Sequence, residues 1–242
     1  MIKKYEWLKD DYISHAGNIL YRIKALKEFG NLKAGDLGGY IQSEYNLRHV
    51  GNCWVYNKAK VCVNARVYDN AKICNNAKIY NNAQIYNNAE VFNDAIISGY
   101  AKIYNNAEIY NNAVIFGQAK IYNNAIICSK AKIYDNAEVY GCTEIHCNAR
   151  IFNNANIPNG NIIGNVSMPY KDIFQHQCDN RILTAILTEN NEILYSIGCQ
   201  DNITEKKFID RIHNDNGGLK ENPHREKYLK FIKMINIYFK GE

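Results

Sequence analysis

The chain has 242 residues and a mass of 27.8 kDa, a size typical of one or two domains. Its content of 47% hydrophobic and 22% charged residues is that of a globular protein and excludes a disordered or fibrous one. The net charge of +5 is too small to indicate nucleic acid as the main partner.

The eight cysteines and the N-terminal residues bear on the cellular compartment in which the protein is expected. No apolar export segment follows the opening Met1-Ile2-Lys3-Lys4, so we expect a cytoplasmic protein with reduced thiols. No run of about 18 apolar residues predicts a membrane span. Cys142 and Cys147 lie on either side of His146, but no C-x-x-C pair occurs, and we expect neither a metal site nor a cofactor.

Residues 1–54 are expected to form an N-terminal β cap. Within them, residues 19–26 alternate between apolar and polar side chains, which predicts a strand. A glycine-rich stretch at 33–41 follows this strand.

Residues 55–168 are dominated by a six-residue repeat. Val or Ile occupies every sixth position from Val55 to Ile163, and Ala is the fifth residue in 16 of the 18 hexads at 55–162. Six residues of α-helix turn by about 600°, so apolar residues spaced six apart would not stay on one face of a helix. A short strand followed by a corner fits a period of six. Alternation then directs Ala and Ile inward and the residues beside them outward. Asn tolerates positive φ and stands at the second corner position in eleven hexads.

This repeat resembles the hexapeptide-repeat family, which implies a left-handed parallel β-helix with three hexads in each triangular turn, here about six turns. Two phrases, Leu-Lys-Ala-Gly-Asp-Leu-Gly-Gly-Tyr-Ile at 32–41 and Gly-Asn-Cys-Trp-Val-Tyr at 51–56, resemble the entry segment of uncharacterised, often phage-encoded members. The run Tyr-Ser-Ile-Gly-Cys at 195–199 is similar to a tail found on some of them.

Residues 169–242 change pattern and predict a small ββαα module. Two strands are expected at 181–188 and 192–199, with a hairpin turn near Asn190-Asn191. One helix should begin after Thr204 and stop at Gly217-Gly218, and a second should begin at Pro223. The predicted fold is therefore mainly β, a β-helix with an N-terminal cap and a small C-terminal α+β module.

Three hexads in each turn would make the β-helix a three-sided prism, in which every third hexad lies on the same side. The outward residues can therefore be grouped by side. The first side, the tyrosine face, carries a ladder of tyrosines expected to stack at roughly 4.8 Å. Such a ladder either only stiffens the prism or binds a partner. Aromatic residues flanked by cations suit bases, sugars or the arginine side chains of a protein partner. The binding residues predicted on this face are Arg66, Tyr68, Tyr86, Lys102, Tyr104, Lys120, Tyr122 and Tyr140.

The second side interrupts its row of basic residues with an apolar patch. Ile96 and Val114 stand where Lys or Glu is usual, and Phe116 lies beside them. Exposed apolar patches commonly mark contacts, so we expect a homo-oligomer, either a dimer or a trimer, through this patch.

The third side carries Cys128 and His146, one turn apart, which are weak candidates for a nucleophile and its base. We expect no carboxylate to orient His146, and therefore no catalytic residues. His49 would fall on an aliphatic position only if the first turn were regular, and we expect that turn to be irregular instead.

These features favour a non-catalytic binding or assembly protein with a protein partner. The resemblance to phage-encoded members implies a more specific function, that of an inhibitor or decoy of a host defence protein. The alternatives are a hexapeptide acyltransferase and a nucleic-acid-binding protein.

Overall fold

A computed structural model describes residues 3–157, 161–162, 170–178, 181–188, 191–197, 200–214 and 224–241. It confirms the fold class: the chain is mainly β, its centre is a parallel β-helix, and a small α+β module stands at its C-terminal end. The β-helix has about seven turns rather than six.

The N-terminal cap is an antiparallel hairpin of β1 (Tyr5–His15) and β2 (Asn18–Ala25). Strand β2 also pairs with β3 (Leu37–Ile41). Strand β3 then pairs in parallel with the β-helix, and the hairpin therefore extends one side of the prism.

Each side of the β-helix is a parallel sheet of two-residue strands whose neighbours are 18 residues apart along the chain. In the described part of the chain, six strands form the first side, seven form the second, counting β3, and seven form the third. Strands β4 to β22 are, in order, Trp54–Val55, Lys60–Val61, Arg66–Val67, Lys72–Ile73, Lys78–Ile79, Gln84–Ile85, Glu90–Val91, Ile96–Ile97, Lys102–Ile103, Glu108–Ile109, Val114–Ile115, Lys120–Ile121, Ile126–Ile127, Lys132–Ile133, Glu138–Val139, Glu144–Ile145, Arg150–Ile151, Asn156–Ile157 and Asn161–Ile162.

The core is the column of inward Val, Ile and Ala side chains that the repeat predicts. Central members such as Ile103, Ile109 and Ala107 are 0% exposed and belong to one continuous cluster. Burial of each aliphatic side chain is worth about 1.5–3 kcal/mol before chain entropy is subtracted. The final turn departs from the repeat, because Ile162 pairs with Ile145. Ile163, which the repeat places there, lies outside the described residues.

The corners differ from the sequence prediction in one respect. Positive φ occurs at the first corner position, as at Asn81 (φ 60°) and Asn105 (φ 59°), and not at the second, where the asparagine count had suggested it. Asparagines at both positions form side-chain ladders along the edges of the prism. Along one edge, Asn57, Asn75 and Asn93 each donate to the next asparagine, at 2.8–3.0 Å.

The first turn is the additional one, and it is irregular. Leu47, not His49, occupies the inward position and bridges to Val67. His49 is displaced and stacks on Tyr5 with a ring separation of 4.3 Å. Asn46 closes this turn with five hydrogen bonds from a fully buried side chain.

The C-terminal module contains four strands where two were predicted: β23 (Tyr170–Cys178), β24 (Arg181–Thr188), β25 (Ile193–Ile197) and β26 (Gln200–Thr204). They form one antiparallel sheet in chain order, followed by α1 (Glu205–Asn214) and α2 (Arg225–Lys240). The predicted hairpin residue Asn190, the stop at Gly217-Gly218 and the start at Pro223 lie outside the described residues, as does the boundary at 168.

The two faces of this sheet have different neighbours. Leu183 and Ala185 pack in a cluster with Phe208 of α1 and Phe231 of α2. Ile186, which points the other way, belongs to the core cluster of the β-helix. The module therefore covers the C-terminal end of the prism.

Candidate functional site

The tyrosine face forms the ladder that the spacing predicts. The rings of Tyr68, Tyr86, Tyr104, Tyr122 and Tyr140 are separated by 4.8–4.9 Å, and successive planes differ by at most 6°. All five side chains are half-buried. The structure therefore confirms the stacking, whereas the binding role of the face stays a prediction.

The polar residues predicted for this face have individual partners. Arg66 lies over the ring of Tyr45, 4.0 Å from its centroid, and does not stand free beside the ladder. Lys120 Nζ is 2.5 Å from Glu138 Oε1 in an ion pair. Lys102 is exposed and forms no ion pair with any residue that the structure describes. Most of the positive charge expected on this face is therefore already compensated or covered.

Four hydroxyl groups of the ladder, those of Tyr68, Tyr86, Tyr104 and Tyr122, are neutral hydrogen-bonding groups at physiological pH. Burial raises the pKa of Tyr68 and of Tyr104 to about 12, with smaller contributions from neighbouring groups. Burial also raises the pKa of Tyr86 and Tyr122. Ionisation of these four hydroxyls therefore begins far above pH 7. Tyr68 and Tyr122 already donate to Gln84 Oε1 and Glu138 Oε2, and they can still accept a hydrogen bond.

The stacking determines which part of each ring a partner can reach. Both faces of Tyr86, Tyr104 and Tyr122 are occupied by the rings before and after them. A partner therefore meets ring edges and hydroxyls, and the edge of an aromatic ring carries partial positive charge. This arrangement suits acceptors such as carboxylates and carbonyls, and it disfavours base stacking and cation–π contacts, which need an open ring face.

The apolar patch is assembled as the sequence places it. Ile96 and Val114 are direct partners on neighbouring strands and are half-buried. Phe116 is 36% exposed and stacks on Tyr134 at 4.8 Å. Its role as an oligomer interface stays a prediction.

The third side brings together a thiol, an imidazole and a carboxylate. Cys128 Sγ lies 2.9 Å from His146 Nδ1, and His146 Nε2 lies 3.1 Å from Glu144 Oε2. Cys128 is only 3% exposed, while the side chains of His146 and Glu144 are 28% and 42% exposed. Tyr110 occupies the same position one turn before the thiol, and burial, together with the neighbouring Cys128, raises the pKa of its hydroxyl.

The expectation that no carboxylate orients His146 is therefore wrong. Glu144 precedes His146 by two residues, and residues two apart in a strand share a face. That spacing was the available signal. What it could not show is that the imidazole would turn one nitrogen to Glu144 and the other to Cys128.

Neither a scan against protein-family models nor a search of curated proteins gives a match to this chain. Among the described residues, no group of three His, Cys, Asp or Glu side chains is placed to hold a metal ion. Within the same part of the chain, neither α-helix combines the length and the apolar character that crossing a bilayer requires.

Proposed function

We propose that this chain is a binding or assembly protein and that its tyrosine face contacts a protein partner. The observation that carries the proposal is the row of five parallel tyrosines, whose rings are separated by 4.8–4.9 Å and present their hydroxyls along one rigid side. Tyrosine supplies contact area at low entropic cost and is enriched in protein interfaces.

A protein partner is favoured over nucleic acid because of the charge and the ring orientation. Lys120 is paired with Glu138 and Arg66 covers Tyr45, so few cations remain to neutralise phosphates. The inner rings also present no open face for a base. The resemblance to often phage-encoded proteins would make the partner a host protein, with this chain as its inhibitor or decoy.

Replacement of Tyr104 and Tyr122 by Ser tests the proposal. The double variant removes three ring contacts, which at about 0.2–1 kcal/mol each should lower the free energy of unfolding by about 1–3 kcal/mol. Partner capture by the immobilised protein from the native host should be lost. Tyr134→Ser is the matched control, since Tyr134 stacks in the same way on another side, between Phe116 and Phe152.

Capture by both variants at wild-type affinity would show that the ladder is purely structural. The C-terminal module would then be the better candidate for the binding surface. Capture that disappears on nuclease treatment would favour the nucleic-acid alternative.

We further propose that the apolar patch joins copies of this chain. A Val114→Glu substitution should reduce the mass measured by sedimentation, because it places a charge inside the contact. The fold should tolerate it, since Lys78 and Lys132 occupy the same position in nearby turns of the same sheet. A wild-type protein that sediments as a monomer at high concentration would contradict this proposal.

A further inference from the structure

The Cys128–His146–Glu144 cluster lies on a different side of the prism from the tyrosine face, and the binding function makes no use of it. We propose that Cys128 is a nucleophilic thiol that takes the acyl group of small, flat esters, with His146 as its general base and Glu144 as a positioning residue. The proposal goes beyond the binding function and stands independently of it.

The hydrogen bonds arrange the imidazole in the tautomer that a base requires. An ionised carboxylate only accepts hydrogen bonds, so Glu144 Oε2, at 3.1 Å, favours the proton on His146 Nε2. Nδ1 then carries a lone pair and lies 2.9 Å from Cys128 Sγ, within reach of the thiol proton. The thiolate that forms is paired with an imidazolium, which Glu144 stabilises.

The surroundings of Cys128 indicate the shape of the substrate. Tyr110 and His146 occupy the turns on either side of Cys128, so their backbones lie about 9.6 Å apart. A flat group between two rings needs about 7–8 Å, because carbon atoms in contact are separated by about 3.5–4.0 Å. Cys128 is 3% exposed, so the substrate enters when the Tyr110 ring turns aside while His146 keeps its contact with the thiol. This favours small planar carbonyl compounds.

The reaction balances without any further reagent. His146 Nδ1 takes the thiol proton, Sγ attacks the carbonyl carbon, a C–S bond forms, and the C–O bond to the alcohol breaks while His146 returns the proton to the leaving oxygen. Water then attacks the thioester with His146 again as base, the C–S bond breaks, and the thiol regains its proton. The sum is ester plus water giving acid plus alcohol.

Cys74 provides an internal comparison for this reactivity. It occupies the same position on the same side, three turns earlier, between Tyr56 and Phe92, so both of its ladder neighbours are aromatic rings and neither is a base. Burial raises the pKa of the Cys74 thiol to about 11. Trypsin separates the two thiols into the peptides 121–130 and 73–78, and it places the exposed Cys142 and Cys147 in a third.

The experiment treats the full chain with p-nitrophenyl acetate, follows release of p-nitrophenolate, and locates acetyl groups by peptide mass spectrometry. We expect Cys128 to be acetylated at least tenfold faster than Cys74. We also expect its thioester to be hydrolysed, so that p-nitrophenolate is released in repeated cycles. Cys128→Ser should abolish that turnover. His146→Phe should slow acetylation by about 10²-fold or more, because general base catalysis contributes about 10²–10⁴-fold. It keeps a ring in the ladder, as Phe92 does on the same side.

Glu144→Ile tests the positioning residue, and Ile126 occupies the same position one turn earlier. It should lower the rate and also shift the His146 proton away from Nε2, as read from imidazole ¹⁵N chemical shifts. Circular dichroism confirms that each variant is folded. Acetylation of Cys128 no faster than of Cys74, or a folded His146→Phe variant with the wild-type rate, would overturn the proposal.

Discussion

An Ile109→Asp variant is expected to lose the cooperative unfolding of the β-helix. Ile109 is 0% exposed and lies in the fourth of the seven strands on its side, so the charge would enter the middle of the core. A buried carboxylate without a partner is among the most costly substitutions, and a loss above about 4 kcal/mol is expected. In a repeat structure each turn is stabilised by its neighbours, so the defect also uncouples the two halves.

Urea unfolding followed by circular dichroism measures this effect. The control is Ile109→Val, which should cost about 0.5–1.5 kcal/mol and keep a single transition. Valine is compatible with the position, because Val91 occupies it one turn earlier. A single transition with the wild-type midpoint in the aspartate variant would show that the core does not depend on this residue.

An Asn46→Leu substitution is expected to have the second largest effect, at the N-terminal end. Asn46 Nδ2 donates to the carbonyls of Val63 and Ala65, and its Oδ1 accepts from the backbone amides of Gln42 and Ser43. Leucine fills a similar volume but leaves these groups without their partners. Only the bond to Ala65 is fully buried and the other three are part-buried. An unsatisfied buried group costs about 1–3 kcal/mol and a part-buried one less, so the total loss should be about 3–5 kcal/mol.

Asn64→Leu is the matched control for Asn46. Asn64 is exposed, and its side-chain amide donates to Asn82 Oδ1 at 3.3 Å, its one side-chain hydrogen bond to the residues that the structure describes. Its replacement should change the free energy of unfolding by less than about 0.5 kcal/mol, measured in the same urea titration. Equal losses in the two variants would show that the buried hydrogen bonds of Asn46 add nothing.

The regular part of the fold could be predicted because its signal is repeated. A period of six places Ile97 and Ile115 inside and Ile96 and Val114 outside without any knowledge of the rest of the chain. The first turn could not be predicted in this way, because eight residues rather than six separate Leu47 from Val55. Strand β23 was missed because its polar sequence, Tyr-Lys-Asp-Ile-Phe-Gln-His-Gln-Cys, lacks the alternation of a half-buried strand.

The candidate sites show the same limit at the level of side chains. The spacing of 18 residues placed Tyr104 one turn from Tyr86, and the rings stack as expected. The same spacing places Lys120 beside Glu138 on neighbouring strands, but it does not show that the two charged groups meet, because an ion pair also depends on side-chain conformation. The spacing of two residues places Glu144 and His146 on one face, but it does not determine how the imidazole is oriented between Glu144 and Cys128.

The 18-residue turn also controls the direction in which the ends of the molecule point. Removal or duplication of 18 residues would shorten or lengthen the rod by one strand spacing, about 4.8 Å, and leave every side aligned. A change of only six residues would keep the core pattern but rotate everything beyond it by a third of a turn. Because the C-terminal module packs on the last turns through Ile186, it would then face a different side of the prism from the hairpin β1–β2. In this architecture, changes of 18 residues therefore alter only the distance between the two ends of the molecule, whereas changes of six residues also alter the angle between them.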